Sequence, residues 1–171
     1  KQSVENVKLL GQPFWKGHNL PRLRGGMVSA RVTDDDLKII GEKWNANIIR
    51  WQLAEFKYHE TGLDTAQYDE ILENELKILD KALESCKKYK ILVVIDLHSL
   101  SRNTFKSKKN QDKFIEVWER IAKKYRGNNV VWGYDLANEP DERQWQEGTL
   151  MWNDLAEKTA QAIRKIDPIY I

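Results

Sequence analysis

The sequence has little cysteine and no long apolar run, and both absences narrow the class of protein. Cys86 is the single cysteine in 171 residues, so we expect neither an internal disulfide nor a cysteine-rich metal site. The longest apolar run, residues 91–95, is far too short to cross a bilayer. We also expect no signal peptide within this sequence. We therefore expect a globular fold without disulfides or a membrane-spanning segment in this sequence.

The chain also lacks an excess of charge of one sign. It has 28 basic and 26 acidic residues, for a net charge of +2, which gives no broad attraction to nucleic acid or to an anionic membrane. The short basic run at Lys106, Lys108 and Lys109 is typical of a solvated loop. With 41% hydrophobic and 32% charged residues, the composition is that of a folded domain. We expect no nucleic-acid or membrane partner.

Strand-like and helix-like segments alternate along the chain without a linker. Apolar positions at helical spacing predict helices at about residues 33–43, 71–83, 114–125 and 152–166, the first of them opened by a capping box of Thr33 and Asp36. Strands are predicted at residues 14–20, 47–53, 91–97 and 130–137, with the start of a fifth at 169–171. The alternation predicts an α/β fold with parallel strands.

Parallel strands of this kind form either an open, doubly wound sheet or part of a closed barrel. An open nucleotide-binding sheet should carry a glycine-rich phosphate loop after its first strand, but Gly25 and Gly26 lack that spacing. In barrels, functional side chains collect at the carboxyl ends of the strands. Polar residues follow that rule here, at Asn19, Arg50, His98, Asn138 and Glu139. The barrel is the favoured interpretation.

Four sequence segments at successive predicted strand ends carry a family resemblance. They are Gly17-His-Asn-Leu20, Asn47-Ile-Ile-Arg-Trp51, Val94-Ile-Asp-Leu-His98 and Trp132-Gly-Tyr-Asp-Leu-Ala-Asn-Glu-Pro140. In this order they resemble family 5 glycoside hydrolases, the cellulase-like retaining enzymes. The resemblance implies a (β/α)8 TIM barrel, of which residues 1–171 would be the amino-terminal half. It also implies a β-1,4-linked polysaccharide as substrate, no cofactor, and a secreted or periplasmic location. The sequence shows no metal-ligand cluster, so we expect no catalytic metal.

The resemblance assigns Glu139 as the acid/base and Asn138 as the group that binds the sugar 2-hydroxyl at the point of cleavage. Retaining cleavage requires one carboxylic acid to protonate the leaving oxygen and a second carboxylate, roughly 5 Å away, to attack the sugar carbon. A partly enclosed carboxyl facing another carboxylate has its pKa raised, as a general acid requires. The structural alternatives are a helix-starting glutamate beside Pro140 and a turn asparagine.

Arg50 lies in a largely apolar strand, where a buried guanidinium requires carboxylate partners. In the resembling family this arginine orients the nucleophile, whereas Asp96 is its candidate partner here, so a structural role stays open for both. His98 shares a strand face with Asp96 by period-two alternation and would contact sugar hydroxyls. Asn19 is a candidate rim residue that binds substrate or holds the first loop.

The chain has seven tryptophans, which favours either core packing or sugar stacking at each position. Trp51 and Trp132 lie in predicted strands, and we expect both to pack between the sheet and the helices. Trp145, in the loop after Glu139, is the candidate sugar platform. Three others fall on or beside the helical apolar stripes and are expected in the core: Trp44, Trp118 and Trp152.

A complete barrel of this type has eight strands and about 250 residues or more, and the sequence supplies four strands and a stub. The family's nucleophile lies on the seventh strand and has no counterpart here, so we expect weak or no activity from this chain alone. A half barrel exposes strand edges, which favours a homodimer or association with a missing carboxy-terminal half. The alternative is a noncatalytic half barrel that binds glycan or self-associates.

Overall fold

The computed structural model describes residues 25–29, 31–53, 65–98 and 104–168. Within them, four parallel strands form a sheet in the order β1-β2-β3-β4. The strands are β1 (Met27–Ser29), β2 (Ile48–Leu53), β3 (Leu92–Leu97) and β4 (Val131–Asp135). The predictions for β2, β3 and β4 are confirmed. The sequence did not predict β1, while the strands expected at 14–20 and 169–171 lie outside the described residues.

A helix precedes or follows each strand, as the alternating pattern predicts. The helices are α1 (Asp34–Lys38), which continues as a π-helical segment (Ile39–Lys43), α2 (Thr65–Lys88), α3 (Lys108–Tyr125) and α4 (Trp152–Ile166). Thr33 and Asp36 form the predicted capping box at the start of α1, so two amide groups that the helix leaves unpaired find acceptors. None of the helices that the structure describes is both long and apolar enough to cross a membrane.

One face of the sheet packs against the helices and forms the main core. Along β2, side chains alternate between buried and half-buried, and the buried members are Ile49, Trp51 and Leu53. The apolar stripe predicted on α3 is buried throughout, with Trp118 fully inaccessible. Each such large apolar side chain contributes about 1.5–3 kcal/mol by leaving water, so this face supplies most of the stabilisation of the fold.

Two tryptophans do not lie where the sequence predicted. Trp44 is 68% exposed, because the π-helical segment before it adds a residue to the turn and rotates Trp44 off the apolar stripe. Trp132 packs against Leu92 on the opposite face of the sheet, as Ile48 does. The irregularity of register between β3 and β4 accounts for this, since it shifts the alternation of side chains at Trp132.

Trp118, a buried residue of α3, contacts β4 and the backbone just after it. Trp118 lies edge-on to Tyr134, with ring centroids 5.6 Å apart. Its indole Nε1 donates a hydrogen bond of 3.1 Å to the main-chain oxygen of Leu136. A fully buried tryptophan therefore fixes the backbone two residues before Asn138. Trp152, also expected in the core, is half-buried and meets Phe114 edge-on.

Candidate active site at the carboxyl end of the sheet

Polar side chains occupy the face of the sheet opposite the helices, near the carboxyl ends of the strands. The parallel register pairs Gln52 with Asp96 and Asp96 with Asp135, so the three stand side by side across β2, β3 and β4. Arg50 precedes Gln52 by two residues and therefore projects from the same face. His98 follows β3 directly, and Asn138 lies three residues after the end of β4. The fold thus brings together residues that are far apart in sequence.

Arg50 is the centre of this group. Its Nε donates a hydrogen bond of 2.9 Å to Asp135 Oδ2, and its Nη2 forms an ion pair of 3.1 Å with Asp96 Oδ1. Both Nη atoms also lie 3.2 Å from Asn138 Oδ1. The guanidinium is 24% exposed, so two carboxylates and an amide oxygen replace most of its hydration. The predicted pairing of Arg50 with Asp96 is confirmed.

Asp96 is fully buried. Burial raises the pKa of its carboxyl above the ordinary value, because the charged form loses its hydration, while the hydrogen bond from His98 and the positive charge of Arg50 act in the opposite direction. Asp96 Oδ2 lies 2.7 Å from His98 Nδ1. This carboxylate therefore links the arginine of β2 to the histidine that follows β3.

The contacts of His98 define its tautomer when the ring is neutral. A carboxylate can only accept, so Nδ1 carries the proton that is shared with Asp96. Nε2 is then the nitrogen that can accept, and the side-chain amide nitrogen of Gln52, a donor, lies 3.2 Å from both ring nitrogens. His98 is partly exposed. The ring is consequently held by Asp96 and Gln52 beside the carboxyl end of β3.

Glu139 stands at the tip of the segment after β4. Its side chain is exposed, and its backbone has φ = +44°, in the left-handed region that residues other than glycine seldom adopt. The preceding Asn138 is half-buried and held by Arg50. The structure thus presents an exposed carboxyl next to an anchored amide, rather than the first residue of a helix. The helix-start alternative for Glu139 is wrong, because the next turn begins at Glu142.

Trp145 lies in the loop that follows and is 40% exposed. Its indole Nε1 donates a hydrogen bond of 3.2 Å to the main-chain oxygen of Thr149, and its own main-chain nitrogen donates to Glu142. An anchored ring with an open surface has the properties of a stacking platform. Asn19 lies outside the described residues. The other candidates in the described part of the chain are Arg50, His98, Asn138 and Glu139.

Two members of the group were not singled out from the sequence. Asp135 lies in the segment quoted for the family resemblance, and Gln52 follows Arg50 at period-two spacing. The same alternation that places His98 beside Asp96 would have found Gln52. Asp135 required knowledge of the register between β3 and β4. Within the described part of the chain, no group of three or more His, Cys, Asp or Glu side chains is arranged to hold a metal ion.

Comparison with known proteins agrees with this geometry. The chain is 25% identical over 170 residues to an endoglucanase of Paenibacillus polymyxa, covering 92% of this chain and 43% of that protein. It is 30% identical over 107 residues to endoglucanase C of Acetivibrio thermocellus, covering 57% of this chain and 30% of that protein. The chain therefore spans less than half the length of these curated relatives.

Solved structures share the fold. The catalytic domain of Thermobifida fusca endoglucanase Cel5A superposes with a TM-score of 0.66 at 22% identity, over 97% of this chain and 54% of that domain. The sheet of four βα units thus corresponds to part of the (β/α)8 TIM barrel of such enzymes. The family profile described as cellulase (glycosyl hydrolase family 5) matches residues 7–171. This chain belongs to glycosyl hydrolase family 5.

Proposed function

We propose that the chain is the amino-terminal half of the catalytic barrel of a retaining endo-glycosidase that acts on β-1,4-linked glucan or a related polysaccharide. One observation carries the proposal: the arginine of β2, the carboxylate of β3 and the amide after β4 form one network directly beside the exposed carboxyl of Glu139. Such a row of polar groups at the carboxyl ends of parallel strands is where barrels place their chemistry.

Glu139 is the proposed acid/base. It would protonate the leaving glycosidic oxygen and then remove a proton from the incoming water, as the retaining mechanism requires of one residue. The exposed side chain of Glu139 stands where a polysaccharide chain has access to it. Asn138, beside it, is the proposed ligand for the 2-hydroxyl of the same sugar.

The described residues do not provide a free second carboxylate beside Glu139. Asp96 is fully buried and paired with both Arg50 and His98, and Asp135 accepts a hydrogen bond from Arg50. A nucleophile must reach the sugar carbon, which the fully buried Asp96 does not, and Asp135 is already the partner of the Arg50 Nε–H group. We infer that the covalent step needs a residue from beyond these strands, and that this chain alone has weak activity or none.

Sugar binding involves the remaining candidates. His98 would contact ring hydroxyls, and Trp145 would stack against a sugar face through its open surface. Asn19 is proposed at the rim, and Arg50 supports the site through Asn138. A variant of the related Thermobifida fusca domain was solved in complex with cellotetraose. That oligosaccharide is accordingly the first ligand to test here.

The edges of a four-stranded sheet bear on how the site is completed. Strands β1 and β4 are the outer members of the described sheet, and unpaired edges favour association. The barrel would be completed by a carboxy-terminal half that carries the nucleophile. A homodimer is the second arrangement, and it would set two copies of Glu139 too far apart for the retaining reaction, near the wider inverting spacing.

The test combines solution mass, binding and turnover of the 171-residue chain. Light scattering gives the oligomeric state, and calorimetric titration with cellotetraose gives binding. Hydrolysis is measured on soluble β-glucans, mannans and xylans. We expect cellotetraose to bind and hydrolysis to be weak, and any hydrolysis to be lost in Glu139→Gln. Glu157→Gln, an exposed position on α4, is the matched control and should change neither.

The outcomes separate the alternatives. Binding of cellotetraose with hydrolysis that Glu139→Gln leaves unchanged would remove Glu139 from the acid/base role. Binding with no hydrolysis by wild type, together with a stable dimer, favours a noncatalytic half barrel that binds glycan. A chain that neither binds nor hydrolyses any of these glycans contradicts the proposal for this half of the barrel.

A further inference from the structure

Asp135 has no role in the function proposed above, yet it contacts the arginine at the centre of the site. Its Oδ2 accepts a hydrogen bond of 2.9 Å from Arg50 Nε, and its side chain is 37% exposed. It precedes Asn138 by three residues and stands beside Asp96 in the sheet register. Because Asp135 is the last residue of β4 and solvent reaches its side chain, its charge does not depend on Arg50 for solvation. The contact with Arg50 therefore suggests a role for Asp135 in the site.

The second observation concerns the orientation of the Asn138 amide. Both Nη atoms of Arg50 lie 3.2 Å from Asn138 Oδ1. A guanidinium has five N–H donors and no acceptor. If the amide were reversed, its NH2 group would face those donors and both hydrogen bonds would become repulsive contacts. Chemistry alone therefore fixes which end of the amide faces Arg50.

The consequence for a ligand follows directly. With Oδ1 occupied by Arg50, the group that Asn138 offers is its Nδ2, which can only donate. Among the described residues, none accepts a hydrogen bond from Asn138 Nδ2. Asn138 thus meets any bound molecule as a hydrogen-bond donor, and the complementary group is an oxygen that accepts.

This selectivity holds only while the plane of the guanidinium is fixed. Asp96 holds one corner of it, through Nη2 at 3.1 Å. One contact at one corner leaves the plane free to turn about that contact. Asp135 holds the Nε edge, so two carboxylates on different sides of the planar fork determine its orientation. With the plane held in this way, Nη1 and Nη2 both face Asn138 Oδ1, while Nη1 also lies 3.2 Å from Met27 Sδ.

We propose that Asp135 is a positioning residue, which acts through Arg50 to fix Asn138 as a hydrogen-bond donor toward an acceptor oxygen of the ligand. The nature of the ligand, a sugar ring that carries such an oxygen, rests on the proposed function. The fixing of the amide does not, since it is a property of the free chain. The two parts can therefore be tested separately.

The first measurement is made on the free 171-residue chain. Nuclear spin relaxation gives the order parameters of Arg50 Nε and Asn138 Nδ2, and hydrogen exchange gives the protection of Arg50 Nε–H. We expect both nitrogens to be rigid in wild type. In Asp135→Ala we expect both to become mobile and the Arg50 Nε proton to exchange about tenfold faster, as loss of a charge-assisted hydrogen bond implies.

Two further variants make this result specific. Asp135→Asn keeps the shape of the side chain and removes its charge, so it should show an intermediate effect and serves if Asp135→Ala does not fold. Asp112→Asn removes one exposed carboxylate that pairs with Lys108 on α3, and it should leave both nitrogens rigid. A merely structural role for Asp135 would lower the unfolding midpoint without selective mobility of Asn138 Nδ2.

The second measurement adds cellotetraose. In wild type the Asn138 Nδ2 proton resonances should shift downfield, as expected of a donated hydrogen bond, and in Asp135→Ala the affinity should fall about tenfold. Rigid Nδ2 in the folded Asp135 variants would overturn the positioning role. A rigid amide in wild type without any response to cellotetraose would instead contradict the proposed glycan site and leave the fixing of Asn138 by Asp135 intact.

Discussion

Two ion networks in this molecule have similar components and different surroundings. The site network consists of Arg50, Asp96 and Asp135. The helix network joins α2 to α3, with Arg120 between Asp69 and Glu73 at 3.0 and 2.6 Å. Arg120 is 34% exposed and its two carboxylates are 38% and 42% exposed. In the site network, by contrast, Asp96 is fully buried.

The two networks differ in how far water surrounds their charged groups. Around Arg120, solvent competes for each charge, so the ion pairs contribute little to stability. Around Asp96, solvent is absent, and its charge depends on Arg50 and His98. A buried ion pair is costly to assemble and more costly to break, because one partner is left charged in a poorly polarisable environment. The helix network links α2 to α3, whereas the site network holds the Asn138 amide and the His98 ring in orientation.

The largest expected effect follows from removing the central cation of each network. Arg50→Met should lower the free energy of unfolding by about 3 kcal/mol, because Asp96 loses its guanidinium partner. Arg120→Met, the matched change in the helix network, should cost no more than about 1 kcal/mol. Urea unfolding followed by circular dichroism measures both. Equal losses in the two variants would mean that burial of Asp96 does not distinguish the networks.

The next effect concerns pH, and its sign follows from Asp96. Burial raises the pKa of Asp96 above 3.8, against the opposing influence of His98 and Arg50. The folded chain then binds this proton more tightly than the unfolded chain. The contribution of Asp96 to the free energy of unfolding therefore falls as pH rises through the interval above 3.8, with a slope of at most about 1.4 kcal/mol per pH unit for one proton.

The Asp96→Asn side chain does not titrate, so comparison with this variant isolates the contribution of Asp96 to the pH dependence of stability. The free energy of unfolding of wild type minus that of Asp96→Asn should decrease from about pH 3.5 upward and then level off. Chemical unfolding at several pH values measures the difference. A difference that increases with pH over this range would show that the attractive charges outweigh burial and that the pKa of Asp96 is lowered.

The smallest expected effect tests the solvated character of the helix network. Arg120 lowers the pKa of Glu73 through a hydrogen bond, but the pair is largely in water. Glu73→Gln should cost about 0.5 kcal/mol at low salt and nothing measurable at about 1 M NaCl, where charges are screened over a few ångströms. Thermal unfolding at the two salt concentrations measures this. A loss that persists at high salt would indicate a packing role for Glu73.

Much of the fold could be predicted because apolar periodicity reports burial directly. The stripe of α3 and the strand β2 were confirmed for this reason. Trp44 and Trp132 were misplaced because each follows a local irregularity, a π-helical turn in one case and a shift of strand register in the other. Such irregularities change which face a given residue occupies, and the spacing of apolar residues in the sequence does not reveal where they occur.

The site was predictable to the extent that strand ends mark it. Arg50, His98, Asn138 and Glu139 all come to the carboxyl end of the sheet. The sequence suggested Asp96 as the partner of Arg50, and the structure adds Asp135 as a second carboxylate. The sequence alone could not identify Asp135 as a partner of Arg50, because that choice depends on which residues of β3 and β4 stand opposite each other. That register is a property of the whole sheet.

The backbone at Glu139 has a consequence for the evolution of this chain. A left-handed φ of +44° is costly for glutamate, particularly before a proline, and glycine adopts it without strain. If selection acted on thermal stability alone, glycine would be expected to replace glutamate at position 139. Retention of glutamate would record a different pressure, one that rewards the carboxyl itself.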